Sequence, residues 1–171
     1  EAGADSVMMR YYQMLAVADA ANASKWQERI GDAALSRQAY GEAARAYFAA
    51  QEAAPALDDK RRYFLAALKA FVSDGEVGRA CTEAEKRAGS LAEDPETLRY
   101  LINLARQASR TDLMARYARD LIKYSTQSQR GAYYSDYADA AGYVNFTPAD
   151  LAGLIRHADF RPTDRAVAGY F

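Results

Sequence analysis

Residues 26–55 read WQERIGDAALSRQAYGEAARAYFAAQEAAP, and this stretch decides the fold. Trp26, Ile30, Ala33 and Ala34 recur at the spacing that puts them on one face of a helix. After a short polar turn, Tyr40, Ala43, Ala44, Tyr47, Phe48 and Ala50 line the face of a second helix. Pro55 has no N–H to donate and its ring crowds the preceding turn, so the unit ends there. Neither helix buries its apolar stripe alone, and the pair still needs neighbours.

Ile30-Gly31, Tyr40 followed by Ala43, then Tyr47, Ala50 and Pro55 carry a likeness to a known family. The stretch resembles the tetratricopeptide (TPR) repeat, a helix–turn–helix unit with signature residues at these places. It departs from that pattern at Trp26, which stands one residue too far from Ile30-Gly31. The resemblance implies an all-α, right-handed superhelix of stacked pairs. It predicts shape and not chemistry.

Composition agrees with a helical-repeat chain. Of 171 residues, 50% are hydrophobic, 26% are charged and about a fifth are alanine, the balance of a long-helix protein. Each of the four prolines falls at a predicted helix boundary. A formal net charge of −1 supplies no broad field to attract nucleic acid or anionic lipid. No window approaches the roughly 20 apolar residues that a membrane span needs. Cys81, the single cysteine, rules out an internal disulfide framework and leaves the compartment open. The sequence starts at Glu1 and stops at AVAGYF inside an apolar helical pattern. It therefore reads as a piece of a longer protein, with any signal peptide outside it and with exposed repeat ends that favour self-association.

Taken in order, residues 4–21 predict a leading helix with Met8, Tyr11, Tyr12, Leu15 and Ala18 inward and Asp5 or Ser6 as its cap. Asp19 interrupts that stripe near its end. Ser24 caps the first helix of the quoted pair. Asp58-Asp59 starts the next helix, with Tyr63, Ala67, Leu68 and Phe71 inward. Asp74-Gly75 is a turn signal, and residues 76–88 complete the second pair. Asp94-Pro95-Glu96 places a cap, a first-turn proline and an acid at a helix start. Thr111 caps its partner helix, which runs to Tyr124. STQSQRG is a polar connector to a fourth pair, at 133–142 and from Thr147-Pro148 onward, and Pro162 opens a fifth unit. The reading is a leading helix, four pairs and the start of a fifth, all in one domain spanning residues 1–171. Ala43, Ala80, Ala115 and Ala149 hold equivalent places about 34 to 37 residues apart, where helix crossings admit only small side chains.

Little in the sequence supports catalysis. His157 is the sole histidine, so a histidine-based metal cluster cannot form, and its place near a helix end suits a capping role. Cys81 lies beside Ala80 on an apolar face and reads as a small buried hydrophobe. The chain holds no Gly-rich phosphate loop, GxSxG elbow or HExxH helix. Some lytic transglycosylases carry an all-helical superhelical domain beside a catalytic domain with a Glu-Ser motif. No Glu-Ser pair occurs here, so at most such a non-catalytic part would be represented. No cofactor is expected.

The TPR resemblance implies that the first helix of each pair lines a groove. In the alanine register, Glu28, Leu65, Tyr100 and Tyr134 form one row, and Asp32, Lys69, Leu104 and Ala138 form the next. Tyrosine offers a broad face and a hydroxyl at low entropy cost, suited to a peptide or a sugar; Tyr100 and Tyr134 equally suit packing between repeats. Glu28 and Asp32 would repel the C-terminal carboxylate that chaperone-binding TPR clamps hold. Residues 20–125 further resemble the TPR regions of bacterial exopolysaccharide export proteins of the Pel, cellulose and poly-N-acetylglucosamine systems. That likeness implies a non-enzymatic periplasmic scaffold holding a protein, a polysaccharide or its modifying enzyme. The alternatives are a general peptide-binding TPR adaptor and the helical domain of a cell-wall glycan enzyme.

Overall fold

The structure, a computed structural model, describes residues 2–125, with the backbone alone at 2–6 and 122. Among the described residues every regular element is helical. The α-helices are α1 (Ala2–Ala18), α2 (Ala23–Ser36), α3 (Tyr40–Ala53), α4 (Leu57–Ser73), α5 (Val77–Arg87), α6 (Pro95–Gln107) and α7 (Thr111–Tyr124). Short 3-10 turns occupy Ala20–Asn22 and Gly89–Glu93. The chain divides into two units, residues 1–91 and 92–171. In the first, each of α1 to α5 packs against the next; in the second, α6 packs against α7. The expected fourth pair, the start of a fifth unit, Ala149 and His157 lie outside the described residues. No helix among the described residues is long and apolar enough to cross a membrane.

The three described pairs are α2/α3, α4/α5 and α6/α7, and their first helices all end in one backbone turn. Gln38, Gly75 and Ser109 adopt positive φ, at 59°, 78° and 55°. In each case the following N–H donates to a carbonyl five residues back: Ala39 to Ala34, Glu76 to Phe71 and Arg110 to Ala105, all at 2.9 Å. This geometry satisfies carbonyls that a helix end would otherwise leave bare. Only at Asp74-Gly75 does the sequence signal the left-handed residue itself, because glycine announces one and glutamine or serine does not.

Alanine at the crossings keeps the helices close. Ala43 and Ala80 are wholly buried and Ala115 nearly so, as the repeat of small residues predicts. Around them Phe64, Leu68 and Phe71 fill the first unit, and Leu98, Leu101, Ile102, Leu113, Met114 and Leu121 fill the second. Cys81 is buried and free, in the small hydrophobe's role its sequence neighbours suggest.

Several helix starts differ from the sequence reading. Asp94 does cap α6, accepting from both the Thr97 N–H and its hydroxyl at 2.8 Å, with Pro95 in the first turn. Ser24, by contrast, is buried inside α2, whose preceding residue is Asn22; the Asn22 amide donates to Asp19 at 3.0 Å instead of capping. Thr111 is the first residue of α7 and makes no cap, the position before it belonging to Arg110, which pairs with Asp112 at 2.7 Å. Asp5 and Ser6 lie within α1, which already begins at Ala2. The inward face of α1 is also rotated from the expected stripe. Met9 is its buried residue, packed with Ile30 and Ala46 beside Tyr12, whereas Met8 and Tyr11 are exposed.

Open space surrounds Gly75, so a Cβ there would meet nothing within 4 Å. Gly75→Ala should still destabilise the protein by about 1–2 kcal/mol, through the left-handed backbone alone. Chemical denaturation measures this, and an unmoved midpoint would show that the turn relaxes without cost.

Candidate functional site

Helices α2 and α4, the first members of consecutive pairs, enclose a groove of about 360 Å³. Lys25 and Arg29, and Glu28 and Asp32, are each four residues apart, and the two adjoining pairs share one face of α2. Asp59, Arg62 and Tyr63 face them from the first turns of α4. Glu28 sits at the centre. Its carboxylate accepts from both terminal nitrogens of Arg62, one of them at 3.3 Å, and from the Tyr63 hydroxyl at 2.9 Å. Arg62 also donates to that hydroxyl at 2.9 Å, lies 4.4 Å over the Tyr63 ring, and approaches Asp59 to 3.5 Å. A guanidinium forked onto a carboxylate and laid on an aromatic face is held in one geometry.

Burial would raise the Glu28 pKa, but the bonds from Arg62 and Tyr63 outweigh it and hold the carboxyl below the ordinary glutamate value. The Tyr63 phenol is pushed up, by burial first and by Glu28 second. Asp32, one turn further along α2, is exposed and accepts from the Tyr47 hydroxyl of α3 at 2.7 Å. Tyr47 itself is raised by burial and by that bond to a carboxylate. At the other end, Trp26 stacks on Tyr12 at 6.2 Å and donates to Asp19 at 3.1 Å. Asp19 thus ends α1 and anchors the first residues of α2.

Glu28 and Asp32 therefore both line this α2/α4 groove, but their neighbours are not those expected. The expected row set Glu28 against Leu65. In the structure Glu28 meets Arg62 and Tyr63, 34 and 35 residues on, so the row is shifted by about one helical turn. Leu65 is half-buried beyond Arg62, and Lys69 is exposed further along α4. In the second unit Tyr100 is half-buried, whereas Leu104 is only 2% exposed and belongs to the core, as an apolar side chain on the packed face of α6 must. Tyr134 and Ala138 lie outside the described residues. Arg62, Tyr63 and Asp59 were missed. A search for opposite charges about 34 residues apart would have found the first.

Other bonds in the first unit repeat this interval. Arg87 donates to Glu52, 35 residues back, at 2.7 Å, and Gln51 donates to the Arg87 carbonyl, 36 residues on, at 3.4 Å. The repeat length inferred from alanines thus reappears in polar contacts. No protein family, curated protein or solved structure matches this chain.

The lowered pKa of Glu28 fixes a sign for acid unfolding. Its stabilisation is present above the ordinary glutamate value of 4.5 and is lost as pH falls through the lower folded-state value. Glu28→Gln should cost about 1 kcal/mol at neutral pH, at the low end for charge-assisted bonds because solvent reaches the cluster. The difference from the parent protein should shrink as pH drops below 4.5. Denaturation midpoints across that range measure it, and a difference that grew toward acid would contradict the assignment.

Proposed function

We propose that this chain is a non-enzymatic helical-repeat scaffold that holds a protein partner along the α2/α4 face. One observation carries the reading: a groove of about 360 Å³ with Glu28, Arg62 and Tyr63 held in place by one another at its centre. Its polar groups include Arg29, Asp32 and Lys25, exposed on one helix face beside the locked Glu28–Arg62–Tyr63 cluster. Mixed charge of this kind selects a partner by complementarity and register more than by bulk attraction. The pre-set side chains also lose little freedom when a segment binds. Within that class, the resemblance of residues 20–125 to exopolysaccharide export proteins supports a TPR scaffold in a bacterial secretion assembly. By that resemblance it works in the periplasm, beside the polymer or an enzyme that modifies it.

A photo-crosslinking residue at position 29 should capture a protein partner from bacterial envelope extract, whereas the same residue at position 73, on the exposed end of α4, should not. Adding Asp32→Lys should abolish capture at position 29 in a protein that stays folded, its melting temperature lowered only by loss of the bond from the Tyr47 hydroxyl. Equal capture from both positions, or capture that survives the charge reversal, would place the partner elsewhere.

A further inference from the structure

A second cleft, of about 340 Å³, lies on other helices of the first unit, between α3 and α5 over the end of α4. Its floor is aromatic: Phe48 and Phe71 are buried, with ring centres 6.2 Å apart. A guanidinium covers each ring. Arg79 lies 4.5 Å over Phe71, and Arg87 lies 4.5 Å over Phe48. Both are also tied at the side. Arg79 donates to Glu76 at 2.8 Å, and Arg87 donates to Glu83 at 3.0 Å and to Glu52 at 2.7 Å. Stacking and side bonds fix where the cations stand but do not exhaust their donors, since each guanidinium carries five N–H groups. Of Arg87, these bonds use Nε and Nη1; of Arg79, they use Nη1.

Arg45 completes the lining from α3. It is exposed and makes no ion pair among the described residues. Glu83 also binds Lys86 at 3.3 Å. The cleft and the groups bonded to it therefore hold four cations, Arg45, Arg79, Lys86 and Arg87, against three carboxylates, Glu52, Glu76 and Glu83. One positive charge is left over, and it belongs to Arg45.

We propose that this cleft is a second binding site, which seats one carboxylate of an acidic segment on a protein partner against Arg45 and the spare donors of Arg79 and Arg87. The residual charge matches one carboxylate. A phosphate, carrying nearly two negative charges, would meet the glutamates already present. Arg79 and Arg87 are pre-positioned on their rings, so a carboxylate that docks there has only the Arg45 side chain to order. The site shares no residue with the α2/α4 groove, and it stands whether or not that groove holds a partner.

The test uses the 171-residue chain and a fluorescein-labelled, amidated peptide of alternating leucine and glutamate, followed by fluorescence anisotropy. The peptide should bind, and its glutamine counterpart should bind at least about tenfold more weakly, the scale of losing a charge-assisted hydrogen bond. Arg45→Ala should weaken binding by a similar factor with an unchanged melting temperature, since Arg45 makes no ion pair among the described residues and alanine suits a helix. Arg45→Lys should restore part of the loss, and Asp32→Lys in the other groove should restore or remove nothing. Absence of binding, equal binding of the glutamine peptide, or an unaffected Arg45→Ala variant would overturn the proposal. So would displacement by sodium phosphate where sodium acetate of equal ionic strength fails, which would assign the cleft to phosphate.

Discussion

Gly31 and Tyr47 approach each other more closely than two side-chain-bearing residues could. A Cβ built on Gly31 would stand 2.7 Å from Cε1 of the Tyr47 ring and 2.9 Å from Cζ. The ring of α3 lies against bare backbone of α2, which brings the two axes together along one of the two most extensive helix contacts of the first unit. The approach also aims the Tyr47 hydroxyl at Asp32, the next residue after Gly31, with a 2.7 Å bond. One small residue thus sets both the packing of the pair and the position of an acid on the groove face. Glu28, one turn earlier on the same helix, is then presented to Arg62 and Tyr63 of α4.

From this pair the unit extends by polar bonds that reach about one repeat ahead. Exposed ion pairs contribute little individually, but Glu28–Arg62 and Glu52–Arg87 are each embedded in an aromatic contact and a second bond. Alanines hold the helices near enough for these side chains to meet. The aromatic rings in turn give the guanidinium groups a fixed seat. Packing and recognition surface are therefore one construction: the rings that fill the interior also position the charges outside it.

The sequence shows the helix pairs well because their apolar stripes have the helical period and because proline, Asp-Pro and Asp-Gly mark their ends. It shows small features less well, for identifiable reasons. Gln38 and Ser109 take the same left-handed turn as Gly75, but their side chains carry no signal for it. Ser24 resembles a cap in isolation; the neighbouring Asp19–Asn22 turn moves the helix start one residue before it. Glu28 and Asp32 were chosen through the TPR resemblance and the alanine register, and both line the α2/α4 cleft. Their partners were not legible, since a register set by alanines about 37 residues apart misses contacts that span 34 and 35. Leu104 marks a second error of that register: it lies on the packed apolar face of α6 and is buried in the core.

The most direct test of the close approach is a double-mutant cycle at Gly31 and Tyr47, read by chemical denaturation. In an open helix, glycine to alanine stabilises by about 0.5–1 kcal/mol. Here Gly31→Ala should instead destabilise by about 1–3 kcal/mol, the cost of overpacking. In a Tyr47→Leu background, which removes Cε1 and Cζ, the same substitution should become neutral or stabilising. A Gly31→Ala effect of the same sign and size in both backgrounds would contradict the central place given to this contact.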